Sequence, residues 1–222
     1  MVKIFSVYGF MMTKAMGMTL LLALYSLFFA CIIGLIFGIL GVVNNKVCRA
    51  IETVFVDVIR GVPLIVLAYF VFFGVPQLVN SISGGNFTLT ALQTGTIALS
   101  LNCGAYMAEI IRAGILSVDK GQMEAARSLG LPYSKAMRKV VLPQAVRTMI
   151  PTIINQFIIT LKDTSILSVI GFPELVNTTK NVIGITFKSF ESWAIAAVMY
   201  LIVILLLTNL SRVLERRLNS GR

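Results

Sequence analysis

The stretch MGMTLLLALYSLFFACIIGLIFGILGVV, residues 16–43, contains no Asp, Glu, Lys or Arg. About 20 apolar residues in a helix cross the hydrocarbon core of a bilayer, so this run is long enough to span it. It is preceded by Lys3 and Lys14, and Leu27-Phe28-Phe29-Ala30-Cys31 faintly resembles a lipoprotein cleavage site. The run is nevertheless too long for the apolar segment of a secretory signal, and it reads as a retained helix.

Outward from that run the whole chain has the same character. Of its 222 residues, 57% are apolar and 13% charged, with a mean hydropathy of +0.90. That balance lies outside the range of water-soluble domains. The net charge of +10 does not point to nucleic acid, because the cations gather at the ends of apolar runs, where they mark membrane topology. Histidine is absent and the three cysteines are Cys31, Cys48 and Cys103. His-based catalysis, Ser/His/Asp triads, a disulfide framework and a metal cage are therefore not supported, and no phosphate-binding G-x-x-x-x-G-K-[ST] loop is present. The chain carries no catalytic or metal-ligating set.

Five apolar segments each approach the length of one crossing: 16–43, 62–79, 90–115, 150–171 and 193–210. The fold class expected is an all-α membrane protein of five transmembrane helices, a single permease domain over 1–222. Lys3, Lys14, Lys180 and Lys188 fall on one side of these spans. The other side collects Lys46, Arg49, Arg60, Arg112, Lys120, Arg127, Lys135, Arg138, Lys139, Arg147, Arg212, Arg216, Arg217 and Arg222. The positive-inside rule then puts the N-terminus outside and the C-terminus in the cytoplasm, in the cell membrane, with the basic loop 118–147 inside. In the first span Gly34, Gly38 and Gly41 form a small-residue stripe, which fits internal helix packing or a dimer seam. No inverted repeat relates the two halves, against a secondary-transporter architecture.

The loop has its own punctuation. Asp119 followed by Gln122 resembles a capping box, a short helix is expected from Lys120 to Leu129, and Gly130 can take the left-handed conformation that ends it. Pro132 stands where a second helix would begin and Pro143 where the fourth span is approached. A helix of about ten residues is marginal alone in water, so its own membrane core or a partner's groove must hold it.

Glu124-Ala125-Ala126, then Gly130, then Val140, Leu142 and Pro143 resembles the E-A-A-x3-G-x9-I-x-L-P signature of permease subunits of ABC importers, with Val140 in place of Ile. Arg60-Gly61-Val62-Pro63-Leu64 and Lys162-Asp163-Thr164-Ser165 resemble the R-G-T-P-L and K-D-T-S stretches of the polar amino acid branch of that family. The resemblance implies a non-catalytic translocation subunit that binds no cofactor. ATP and Mg would belong to a cytoplasmic ABC ATPase dimer. It implies a second permease copy or similar permease, and an extracellular or lipid-anchored amino acid binding protein. Glu124, Ala125, Ala126, Arg127 and Gly130 would form the ATPase-coupling edge, with a close approach at the alanines, charge pairing at Glu124 and Arg127, and a sharp reversal at Gly130.

Polar groups inside spans are costly and mark candidate substrate contacts. Asn102, Tyr106 and Glu109 share one face of the third span. Gln156, Lys162 and Asp163 lie on the fourth. An amino acid zwitterion could meet Lys162 with its carboxylate and Asp163 or Glu109 with its ammonium, oriented by Asn102, Tyr106 and Gln156. The structural alternatives are that Lys162 and Asp163 pair with other helices, and that Glu109 and Arg112 pair along their own helix. Asp57 and Arg60 are read as structural, at the membrane entrance. Two other functions fit parts of the pattern: an ion-coupled carrier or channel using Lys162, Asp163 and Glu109, and a membrane scaffold. Neither explains both the loop signature and the polar face.

Overall fold

The computed structural model describes the backbone of residues 2–219 and the side chains of residues 3–213. Of the expected cytoplasmic cations, Arg222, Arg216 and Arg217 fall outside the described side chains. The described chain is built of helices: α1 (Val2–Val42), α2 (Lys46–Gly61), α3 (Leu64–Ser83), α4 (Ala91–Leu116), α5 (Lys120–Ser128), α6 (Tyr133–Ile170), α7 (Leu175–Thr186) and α8 (Ser189–Asn219). Four segments, Lys3–Val42, Leu64–Ser83, Tyr133–Ile170 and Ser189–Val213, are long and apolar enough to cross a membrane.

The expected third span, 90–115, is matched by α4, 26 residues long and less apolar than those four. Its composition follows from its place. Thr94, Gly95, Ala98, Leu99, Ser100, Asn102 and Cys103 are all buried, so α4 faces protein on most sides and lipid on few. It begins at a full capping box, in which Gln93 N donates to Thr90 Oγ1 (3.2 Å) and Thr90 N to Gln93 Oε1 (3.0 Å).

The most extensive packing in the molecule is between α1 and α4. A Cβ added at Gly38 would lie 2.8 Å from Ile111 Cβ, and one at Gly104 2.7 Å from Ile33 Cγ2, while Gly34 abuts Met107. The stripe on α1 therefore closes on α4 of the same chain, the internal-packing alternative. In lipid, where apolar side chains gain nothing by leaving the solvent, backbone approach of this kind is a main source of helix association.

Three boundaries differ from those read from sequence. First, α1 starts at Val2, not near Met16, and at 1.5 Å per residue its 41 residues run about 60 Å, twice the hydrocarbon thickness. Its first half packs against α7 and α8 through Ile4, Met12, Met16, Leu175, Val182 and Ile195. Second, the connection after the first span is itself a helix. Asn45 caps α2, its Oδ1 accepting from Val47 N (2.8 Å), and α2 folds back along α1 with Phe37 stacked on Phe55 at 3.8 Å. Arg60 is thereby carried about 20 Å back from the turn at Asn45, away from the membrane entrance and up to α4, where its side chain stays 39% exposed.

Third, the second loop helix and the fourth span are one rod, α6, which Pro143 does not break. A proline inside a helix lacks its N–H and crowds the carbonyl four residues before it. Here the turn Met137–Val141 widens to a π-helix, Leu142 N donating to Met137 O, and the helix passes through. The same device carries α3 past Pro76, where Val75 N donates to Phe70 O in the turn Phe70–Gly74.

Replacing Gly38 by Val should lower the thermal midpoint of the purified protein, overpacking at such a site costing about 1–3 kcal/mol. Gly17→Ala is the control, since nothing lies within 4 Å of a Cβ there. Equal midpoints for the two variants would mean that the α1–α4 seam is loose.

Candidate functional site

Between α2 and α3 the chain breaks at Val62-Pro63, and Pro63 is the N-cap of the next helix. The break borders a cavity of about 490 Å³ whose wall includes Arg60, Asn102, Tyr106, Gln156 and Asp163. Asn102 and Tyr106 stand one turn apart on α4, while Gln156 and Asp163 stand two turns apart on α6. Asn102 and Gln156 are buried. A helix break inside a membrane is tolerated where it borders a cavity, and Gly61, Val62, Pro63 and Leu64 all line this one.

Four of the six residues expected to contact substrate, Asn102, Tyr106, Gln156 and Asp163, are thus brought together. Lys162 is exposed and absent from the wall. It lies about 100° around α6 from Asp163, which turns it away from the polar face. Glu109 lies one turn beyond Tyr106 and is occupied by its own helix: Arg112 donates from Nη2 to Glu109 Oε1 at 2.8 Å and from Nε to Oε2 at 3.4 Å. The expected alternative of a pair along the helix is formed.

Arg60 is the residue that sequence reasoning missed. Its guanidinium carbon lies 4.9 Å from the centre of the Tyr106 ring, and its Nη1 is 3.9 Å from Glu109 Oε2. Arg112 continues the chain of charges with Nε 3.6 Å from Glu52 Oε1, a carboxylate only 5% exposed. Four alternating charges, Arg60, Glu109, Arg112 and Glu52, thus run from the cavity into the packing of α1, α2 and α4. The readable signal was an arginine directly before a Gly-x-Pro interruption of an apolar segment.

A larger groove of about 600 Å³ opens elsewhere, between α1, α4 and α6. Apart from Asn44 and the Tyr133 ring its lining is aliphatic or thioether, including Leu35, Ile39, Ile111 and Met149. No charged side chain lies in that wall to orient a zwitterion.

The loop helix α5 forms as expected, with one change at its start. Asp119 caps it by accepting from Gly121 N at 2.7 Å, while Gln122 accepts from Gln144 Nε2 at 3.4 Å instead of closing a capping box. Gly130 has φ +86°, the left-handed conformation, and Leu131 N returns to Ala126 O at 3.2 Å. Glu124, Ala125, Arg127 and Gly130 are exposed; Ala126 is buried and faces the chain itself. At the tip, Leu129 is 85% exposed, an apolar group that the sequence reading passed over. On the inner side Met123 packs with Met137, Val141 and Ile115, so α5 is seated on the first turns of α6.

Residues 30–220 match the family described as the binding-protein-dependent transport system inner membrane component. The chain is 38% identical over 201 residues to the glutamine transport system permease protein GlnP of Escherichia coli K12, covering 90% of each protein. It is 34% identical over 208 residues to the arginine transport system permease protein ArtQ of Bacillus subtilis 168, covering 94% of this chain and 92% of that one. Among solved structures, that of an amino acid ABC transporter with histidines superposes with a TM-score of 0.88 at 35% identity, over 96% of each chain. The family match takes in α2 to α8 whole, with the cavity and the loop helix, and this chain belongs to the inner membrane components of binding-protein-dependent transport systems.

Proposed function

We propose that this chain is the non-catalytic translocation subunit of an ATP-driven importer of polar amino acids, crossing the membrane five times with its N-terminus outside. Two copies, or one copy and a similar permease, would stand on a cytoplasmic ATPase dimer that binds ATP and Mg. A binding protein on the outer side would deliver the cargo. Amino acids are the cargo named for the relatives, and the cavity is chemically suited to one. Arg60 and Asp163 offer opposite charges, and Asn102, Tyr106 and Gln156 offer neutral hydrogen bonds.

The observation that carries this reading is mechanical. The rod α6 begins at Tyr133, immediately after the Gly130 reversal, and continues to Ile170. Gln156 and Asp163 on the cavity wall thus share one uninterrupted helix with the seat of α5, Gln156 being about 35 Å from its start. An ATPase that grips the exposed edge of Glu124, Ala125, Arg127 and Leu129 and shifts it would tilt the cavity wall as well. Nucleotide then drives alternating access by binding the inward-open and outward-open states with different affinity. A membrane scaffold would need no such cavity, and a nucleotide-independent carrier would need no such edge.

In proteoliposomes containing the ATPase and the binding protein, Glu124→Lys or Gly130→Pro should cut uptake about tenfold or more, a loss of roughly 1.4 kcal/mol of coupling. Insertion into the membrane should be unaffected. Wild-type uptake by both variants, or uptake that persists without ATP, would sink the docking model.

Asn102→Ala and Gln156→Ala should each raise the half-saturating cargo concentration about 5- to 30-fold, the loss of one buried hydrogen bond of about 1–2 kcal/mol. Lys162→Gln should change it little, since Lys162 faces away. The reverse ranking would return substrate contact to Lys162.

A further inference from the structure

We infer that Arg60 is the carboxylate-recognising residue of the cavity, and that Glu109 holds it as an internal stand-in for the cargo carboxylate until cargo arrives. The inference rests on the amino acid reading proposed above and names the group that selects among such molecules.

Of the residues that line the cavity, Arg60 is the one cation and Asp163 the one anion. Arg60 sits in the last turn of α2, where the partial negative charge of the helix C-terminus favours a cation. The Tyr106 ring lies under its guanidinium at 4.9 Å, holding one face and leaving the N–H edge available. A planar fork of N–H donors matches the two oxygens of a carboxylate, which a lysine ammonium at the same place would not.

The two arginines around Glu109 are held unequally. Arg112 reaches Glu109 at 2.8 Å, whereas Arg60 stands 3.9 Å away, the outer edge of an ion pair. Glu109 therefore keeps a close cationic partner when Arg60 turns to a ligand, and no carboxylate is left uncompensated. With the cavity empty, Glu109 gives Arg60 a partner, so the cation need not face a partly dry site alone. Exchange of one carboxylate for another conserves the local charge on Arg60 throughout.

The far end of the chain gives the exchange something to act on. Arg112 also lies 3.6 Å from Glu52. A Cβ at Gly41 would come within 2.7 Å of Arg112 Cδ and 2.9 Å of Glu52 Cδ. The network is thus wedged against α1 where α1, α2 and α4 meet. Withdrawal of Arg60 leaves Glu109 bound to Arg112 alone, and cargo occupancy is felt at this junction.

The consequence is a selection rule. An L-amino acid with a free α-carboxylate is recognised and its α-amide is not. The test uses the permease with its ATPase in nanodiscs, without the binding protein, and follows thermal unfolding with L-glutamine, L-arginine, L-glutaminamide and L-argininamide. The wild type should be stabilised by one or both amino acids and not by the corresponding amide. Arg60→Gln should need about 10- to 100-fold more amino acid for the same shift and should no longer separate acid from amide. Glu109→Gln removes the competitor and should need about two- to fivefold less amino acid than wild type.

If Arg60→Gln separates acid from amide as well as the wild type does, the assignment of Arg60 is overturned while the cavity keeps its role. If Glu109→Gln needs as much amino acid as wild type or more, Glu109 is not the stand-in. If no amino acid stabilises the wild type, the cavity reading itself fails and takes Arg60 with it.

Discussion

The close approach of α1 and α4 is the constraint on which the remaining architecture depends. Gly34 and Gly38 on one helix, and Gly104 on the other, remove the side chains that would hold the backbones apart. The helices then meet through Ile33, Met107 and Ile111 in direct contact. Lipid competes with every apolar side chain for apolar surface, so such tight packing must come from shape. Once α4 is locked against α1 it becomes the interior helix, and its Thr, Ser and Asn side chains are spared from lipid. α2 is fixed by the same seam. Its return along α1 rests on the Phe37–Phe55 stack and on the gap at Gly41 that Glu52 and Arg112 fill.

A bundle packed this tightly would have no room for a polar passenger unless some helix were interrupted. The interruption is Val62-Pro63, and its position follows from chain geometry more than from local propensity. The α2 helix is 16 residues long, and its last turn meets α4, with Arg60 against Tyr106 and Glu109. Its last turn delivers a cation, and Gly61, Val62 and Pro63 border the cavity. Two prolines of the helical segments act differently, while a third, Pro151, lies inside α6 with no π turn before it. Pro76 and Pro143 each follow a π turn that absorbs the steric conflict, so α3 and α6 stay continuous. Proline thus serves as a stop at position 63 and as a widening of the helix at positions 76 and 143. The difference lies in whether the preceding residues could shift by one hydrogen-bond register.

These distinctions explain what was legible in the sequence. Apolar runs reveal spans because length and hydropathy alone decide them, and the cap at Asp119 and the reversal at Gly130 are local and chemically forced. The extension of α1 to Val2 is hidden because Lys3 and Lys14 dilute its hydropathy, and its helicity is supported by tertiary contact with α7 and α8. The placing of Arg60 beside Tyr106 and Glu109 depends on α2 folding back, which no local pattern announces. Asp163 and Lys162 are neighbours in sequence, but one lines the cavity and the other does not. The rotation of α6 that separates them is set by buried Ala145, Met149, Gln156 and Thr160, through packing that only the assembled bundle defines. Ala126 is a similar case: within a motif that suggests an exposed edge, it is the member turned inward.

The candidate cavity and the loop helix are joined to the bundle in two physically different ways. The α6 rod is the stiffer link: its hydrogen-bond register shifts by one residue at the π turn before Pro143, but the helix stays continuous to Gln156. The charges from Arg60 to Glu52 are compliant by comparison, since one of their links is an ion pair at 3.9 Å beside another at 2.8 Å. A stiff link suits transmission of force from the cytoplasmic side. A compliant, nearly balanced link suits detection, because a small cargo can rearrange it without breaking helix packing. Both end on the same cavity, where α6 supplies Asp163 and α2 supplies Arg60. On the proposed mechanism, force arriving through α6 would change the distance between the two charges that a zwitterion would bridge, and with it the affinity of the site.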